Sequence, residues 1–362
     1  MKASGTIQSP TKISSFTVDS VDLRLSDFIK FKVDSLSMLG QVNAMERLPH
    51  KTIASINVLG CSIDGKVRMP TIPPRPGDHV YRADETLIRS VLHSPENGIY
   101  MGILRDHNIR VKLSPDILLN RHLALMAQTG GGKSYTAGVI MEELLLRRYP
   151  VVVIDVANEY GRMLYPNAKM KKYDKFHRYP RGFPDRIDFI TKWTDDCYKL
   201  IKRGRMLIIN IKNIQESDQP AMVRDICDDL FDWRSRQKSL IPPTFLVIEE
   251  THKFAPQQHE ICSSSSVYRV LSEGRKYQLG CCIITQRPAK LHKNALSQCW
   301  TQILHKVTNR NDLQSLEESA ERAPPNFTEL LQTLSQGEAL VIGGGLNFTA
   351  VVEIRERMSD AK

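Results

Sequence analysis

The eight residues Ala127-Gln-Thr-Gly-Gly-Gly-Lys-Ser134 constrain this chain more than any other segment. They follow an apolar run, His122–Ala127, and open a stretch with amphipathic spacing, Thr136–Arg148, so they join a strand to a helix. In that setting a glycine-rich turn can fold its backbone N–H groups around a phosphate, because Gly130, Gly131 and Gly132 have no Cβ to block it. The helix that follows presents its positive end to the same anion. Thr129, the three glycines, Lys133, Ser134 and Tyr135 are therefore expected to hold ATP. Lys133 would reach the β- and γ-phosphates, and Ser134 would place its hydroxyl on Mg²⁺. The usual pattern starts with glycine where this chain has Ala127. Alanine fits if the backbone there keeps ordinary strand-like dihedrals.

After Pro115, apolar strand candidates alternate with helical stretches: Val151–Asp155, Met206–Ile211, Phe245–Glu249, Cys281–Thr285 and Gln302–Val307. Such alternation predicts an α/β fold, a mainly parallel sheet with helices on both faces. The strand Phe245-Leu-Val-Ile-Glu-Glu250 delivers two carboxylates to the ligand edge of that sheet. Glu249 is expected to reach Mg²⁺ through water and Glu250 to act as general base on the attacking water. Gln286, after Cys281–Thr285, could hydrogen-bond the γ-phosphate or the water. Asp155 ends a similar strand and is a further metal candidate, although acids there, Glu159 included, also cap helices.

The first 14 residues read as a flexible tail, and 15–113 as a small β-barrel of short strands broken by turn residues, with no catalytic constellation of its own. Residues 114–355 form the P-loop domain, closing with a hairpin in which Glu338–Ile342 and Thr349–Arg355 flank Gly343-Gly-Gly345; 356–362 is a second tail. No run approaches the roughly 18 apolar residues of a membrane span, and the start has no secretory h-region. The seven cysteines have no C-x-x-C spacing. Reduced thiols and a cytoplasmic location are the expectation. The net charge of +10 suggests a polyanionic partner but is one criterion among several. No nuclease constellation is present.

Taken in order, the motifs resemble the HerA family of archaeal and bacterial DNA translocases, relatives of FtsK. The resemblance is carried by Arg121–Ser134, Val153-Ile-Asp-Val-Ala-Asn-Glu-Tyr-Gly161, Ile248-Glu-Glu-Thr-His-Lys-Phe-Ala-Pro256, Glu273-Gly-Arg-Lys-Tyr277, Ile284-Thr-Gln-Arg-Pro288 and Gly337-Glu-Ala-Leu-Val341. Pro74–Val80 and Tyr100-Met-Gly102 are similar to the family's HAS-type barrel. The resemblance implies a RecA-like (ASCE) P-loop domain in a homo-hexameric ring, with ATP sites between neighbours, double-stranded DNA through the centre and a nuclease partner of the NurA type. It implies that Arg275 is an arginine finger into the next site and Arg121 a second contact across that interface. The stretch 161–205 is too short for the helical insertion of longer members. Candidate DNA contacts are Lys171, Lys172, Lys175 and Arg178, with Lys290 and Lys293 after the Gln286 strand. A plasmid, viral or defence-system DNA pump and a nucleotide-assembled ring scaffold are the alternatives.

Overall fold

The computed structural model describes residues 2–170, 178–320 and 323–361. Seven strands come first: β1 (Gly5–Gln8), β2 (Ser15–Ser20), β3 (Phe28–Val33), β4 (Leu36–Arg47), β5 (Thr52–Ile63), β6 (Lys66–Arg68) and β7 (His79–Arg82). Six of them close into a barrel in the order β1–β2–β5–β4–β3–β7 and back to β1, every pair antiparallel; β6 is a short hairpin partner of β5. Alternate residues point inward, so Ile7, Val18, Ile29, Phe31 and Ile56 share one core. The Phe16 and Phe31 rings meet edge to face at 4.9 Å.

The beginning of the chain departs from the expected loose tail. Gly5–Gln8 pairs with β2 on one side and with His79 and Val80 on the other, and Ile7 is buried. Without β1 the barrel would have two open edges, which sheet proteins avoid.

A helix, α1 (Glu85–Leu92), leads out of the barrel, capped by the Asp84 side chain on Leu87 N. The chain then enters an eleven-stranded sheet through β8 (Ile99–Leu104) and β9 (Arg110–Leu113). Next come α2 (Pro115–Arg121), β10 (Leu123–Met126), α3 (Lys133–Leu146), β11 (Val151–Asp155), β12 (Ile187–Ile190), β13 (Met206–Asn210) and α4 (Gln219–Ser235). The remainder is β14 (Thr244–Ile248), α5 (Ser264–Glu273), β15 (Leu279–Thr285), α6 (Lys293–Ser297), β16 (Thr301–Leu304), α7 (Arg310–Ser319), α8 (Phe327–Thr333), β17 (Glu338–Ile342) and β18 (Ala350–Ile354).

Strand order is β12-β13-β11-β14-β15-β10-β16-β17-β18-β8-β9. The seven strands from β12 to β16 are parallel, and the rest add an antiparallel wing. The boundary expected at 113/114 therefore moves: Ile99–Leu113 belongs to the large sheet, because β8 pairs with β18. The barrel docks against this wing through Arg105, which reaches Ser26 Oγ and Glu338, and through the Phe28 and Phe348 rings.

Both faces of the sheet are covered. One buries α3 in a core with β8, β10 and β11; the other packs under α4 and α5. Every residue of α3 from Thr136 to Leu145 is buried. This helix has no polar face, contrary to its amphipathic spacing, because the antiparallel wing covers the side that would have met water.

Residues 356–361 also fail to form a tail. Arg357, Met358 and Ser359 are buried against α3. Glu142 accepts from Met358 N (3.1 Å), Ser359 N (2.8 Å) and Ser359 Oγ (2.6 Å). Arg355 lies 3.0 Å from Glu142 and 3.2 Å from Glu143, all three fully buried. Gly138 makes this approach possible, since a Cβ there would stand 2.6 Å from the Arg357 guanidinium.

Candidate active site

The C-terminal ends of β10, β14 and β15 converge on a cavity of about 870 Å³. Its floor is the loop between β10 and α3. Gly130 (φ 74°) and Gly132 (φ 101°) take left-handed conformations. Gly131 has no room for a side chain, as a Cβ would lie 2.9 Å from both the Ala127 methyl and Gln128 O. Ala127 does not have a positive φ, so alanine is tolerated where the pattern has glycine. Thr129, Gly130, Gly132, Lys133, Ser134 and Tyr135 line the cavity. Lys133 begins α3, half-buried, and among the described residues no carboxylate lies within 4 Å of its ammonium. Its charge is available to an anion.

Glu250 lines the same cavity from the end of β14. Burial raises its carboxyl above the usual range, while Lys133 and Lys253 pull it back down. Gln286 lines it from the end of β15, and its Oε1 accepts from Thr129 Oγ1 at 2.8 Å. That bond joins the Gln286 strand to the phosphate loop.

Glu249 sits deeper. It is 4% exposed, and Tyr160 donates its hydroxyl to Oε1. Burial pushes its carboxyl up to about 8, against the hydrogen bond from Tyr160, with Glu159, Asp155 and Glu250 adding repulsion. Asp155 is not on the cavity surface. Its oxygens accept from Glu159 N (3.1 Å) and Tyr160 N (3.3 Å), so it caps the turn after β11. Each oxygen keeps a further lone pair beyond its backbone donor, so the cap holds the carboxylate in place without using up its capacity to accept.

Arg275 and Arg121 are not at this cavity. Arg275 is exposed on the short turn Gly274–Tyr277 before β15, whereas Gln286 follows that strand. The seven residues of β15 span about 20 Å from first to last Cα at roughly 3.3 Å per step. Its side chain makes no hydrogen bond or ion pair among the described residues. Arg121 ends α2 just before β10, exposed, with its guanidinium 4.5 Å from the Trp300 ring centroid. Both arginines border His122, on the sheet edge opposite the phosphate loop.

Of the basic residues put forward as DNA contacts, Lys171, Lys172 and Lys175 lie outside the described residues. Arg178 is turned inward onto the buried Glu143 at 2.6 Å and over the Tyr100 ring. A guanidinium held by a fully buried carboxylate is structural, and it leaves the set of phosphate contacts. Lys290 is exposed; Lys293 pairs with Glu318 at 3.0 Å, an exposed pair that holds little energy.

Sequence reading missed several contributors to the cavity. His305, after β16, is buried, with Nε2 2.8 Å from Thr136 Oγ1 and Nδ1 2.8 Å from Glu338 O. Arg357 reaches the cavity beside Tyr135, whose hydroxyl accepts from Arg357 N at 2.8 Å. Gln336 and Gly337 complete that wall. The available signal was two adjacent acids, Glu142 and Glu143, in the most apolar helix, since buried acids demand cationic partners.

Comparison with known proteins adds a lineage to this geometry. Residues 99–219 match the family model described as the central domain of helicase HerA, and the match begins at the first residue of β8. A probable helicase of Methanocaldococcus jannaschii is 24% identical, over 91% of this chain and 86% of its own. A DNA double-strand break repair helicase HerA of Saccharolobus solfataricus is also 24% identical, over 98% of this chain and 85% of its own. Among solved structures, VirB4 of Thermoanaerobacter pseudethanolicus superposes with a TM-score of 0.50 at 14% identity, covering 72% of this chain and 97% of that one, a likeness of fold.

Proposed function

We propose that this chain, a member of the HerA family of P-loop ATPases, hydrolyses ATP between neighbouring subunits of a homo-hexameric ring and thereby moves double-stranded DNA. The observation that carries the reading is the placement of Arg275. It stands before β15, at the end of that strand away from Gln286 and the phosphate loop, a strand length of about 20 Å, exposed and without a partner among the described residues. An arginine there can serve a phosphate only in an adjacent copy.

Within one subunit, Lys133 neutralises the β- and γ-phosphates and the loop N–H groups cradle them. Glu250 takes a proton from the attacking water, and Gln286 holds that water or the γ-phosphate. Asp155, Glu159 and Glu250 raise the proton affinity of Glu249, and Asp155 that of Glu159, a repulsion that a divalent cation would relieve. Ser134 and, through water, Glu249 would hold Mg²⁺ there. When bound, the ion supplies charge neutralisation on the phosphates. Lys290 would meet DNA phosphates without reading sequence, so binding should weaken with salt. The barrel would dock partners or brace the ring; the Saccharolobus relative is named for DNA double-strand break repair, and we place DNA-end processing with a nuclease partner of the NurA type beside it as part of this proposal.

Electron microscopy with double-stranded DNA and a non-hydrolysable ATP analogue tests the reading. Six-membered rings with DNA in the channel are expected, together with ATPase activity that rises on adding DNA. Rings that exclude DNA, with slow turnover indifferent to it, would support a scaffold instead.

A further inference from the structure

Glu250 carries two features that ATP hydrolysis as just described leaves unused. Its backbone is left-handed, φ 45° and ψ 43°. That conformation is costly for a residue with a Cβ and persists only where the surroundings over-determine it. Its carboxylate is also divided. The residue lines the ATP cavity, yet Oε2 is closed off and has no hydrogen-bond partner among the described residues.

Within reach of that oxygen stands His252 Nδ1, at 3.3 Å but without hydrogen-bond alignment. The same nitrogen is aligned on Thr285 Oγ1 at 2.9 Å. The ring is set there by its neighbours. Thr251 donates its hydroxyl to Ile248 O at 2.7 Å and accepts from Ile284 N at 3.2 Å, which bolts the turn Thr251–Lys253 across β14 and β15. Thr285 directly precedes Gln286, the residue bonded to the phosphate loop through Thr129. His252 thus lies between the strand end that holds Glu250 and the one that holds Gln286. Burial and the positive charges of Lys253, Lys290, Arg287 and Lys133 keep the imidazole neutral, its pKa lowered to about 4. A neutral ring has one N–H to give.

We infer that His252 is the positioning residue of the catalytic carboxylate. Its Nδ1–H passes from Thr285 Oγ1 to Glu250 Oε2 when the site closes on ATP, fixing that oxygen and leaving Oε1 for the attacking water. The ring needs only a small turn, because both acceptors already flank the same nitrogen. The inference rests on Glu250 being the base.

Single-turnover and steady-state ATP hydrolysis of the full chain test it. In His252→Ala, kcat should fall about 10²-fold, the cost of a base displaced by about an ångström. KM, affinity for a fluorescent ATP analogue and Tm should stay at wild-type values. His252→Asn, whose amide N–H lies near the lost Nδ1, should restore most of kcat; His252→Gln, which imitates Nε2, should not. The double variant Glu250→Gln/His252→Ala should be no slower than Glu250→Gln alone, because the two act as one unit. Unchanged kcat in His252→Ala, equal losses in the Ala and Asn variants, or a fall in analogue binding and Tm that tracks the fall in kcat would each overturn the inference. Near-wild-type turnover by Glu250→Gln would remove the base and this inference together. An inactive Glu250→Gln beside a normal His252→Ala removes this inference alone.

Discussion

Lys133 and Glu250 share one cavity but should fail differently when replaced. Lys133→Ala removes the charge that faces the phosphates, so both nucleotide affinity and turnover should be lost. Glu250→Gln keeps every binding group and removes the proposed base, so ATP should stay bound without being hydrolysed; equilibrium binding beside phosphate release separates the two. Glu249 makes a prediction about stability. Its folded carboxyl titrates near 8, above the usual glutamate value of 4.5. The folded protein therefore binds a proton that the unfolded chain has released, and stability present below about pH 4.5 is lost as pH rises through about 8. Each unit between the two values is worth about 1.4 kcal/mol. Melting of the nucleotide-free protein across this range should show Glu249→Gln losing less Tm with rising pH than wild type. A parallel decline in both would place the pH dependence elsewhere.

Among the elements, the segment after β18 is the one whose loss should be felt at a distance. Glu142, Arg355 and Glu143 are fully buried, so removing one partner leaves an uncompensated charge inside. Glu142→Ala should cost about 3–5 kcal/mol in unfolding free energy. Arg162→Ala, which breaks an exposed pair with Asp360, should cost no more than about 1 kcal/mol; chemical denaturation compares them. The parallel strands other than β12, the phosphate loop and the Glu249-Glu250 strand end were legible in the sequence because strands buried on both faces read as continuous apolar runs; β12, at the edge, is only partly buried and was not read. The sequence did not reveal β1, the assignment of β8 and β9 to the large sheet, or the seat of Arg355 and Arg357. Each depends on a partner distant in the chain, as when Gly102 pairs with Ile354, and local periodicity carries no record of such pairing. Asp155 shows the converse: its position at a strand end was read correctly, but only the backbone N–H groups of Glu159 and Tyr160 reveal it as a cap.

For the whole molecule, the opposed edges of the sheet predict complementation. Arg275→Ala should lower turnover by about 10³–10⁵ and leave ATP binding nearly intact. Neither Arg275→Ala nor Lys133→Ala rings should hydrolyse ATP alone. In the proposed ring, mixtures of the two variants would set an intact phosphate loop opposite an intact Arg275 at some interfaces and should recover activity. Mixtures shown to exchange subunits that stay inactive would place Arg275 outside the neighbour's site. Removing the barrel has to respect where the sheet begins. A chain starting at Ser94 keeps β8 and β9 and should bind nucleotide while assembling poorly, whereas one starting at Ser114 loses two sheet strands and should unfold. Analytical ultracentrifugation with nucleotide binding separates these outcomes.

The distance between α3 and its partners also bears on biosynthesis. Glu142 and Met358, which meet in the folded protein, are 216 residues apart in sequence. A ribosome adding about 5–20 residues each second therefore exposes the phosphate-loop helix tens of seconds before the arginines that neutralise it. During that interval Glu142 stands without Arg355 in the most apolar helix, while Glu143 has only Arg147 and Arg178 beside it, and the nucleotide pocket lacks one wall. The nascent chain must keep this half-built core from aggregating, and its nucleotide pocket is complete only once Ile354, Arg357 and Ala361 have been added.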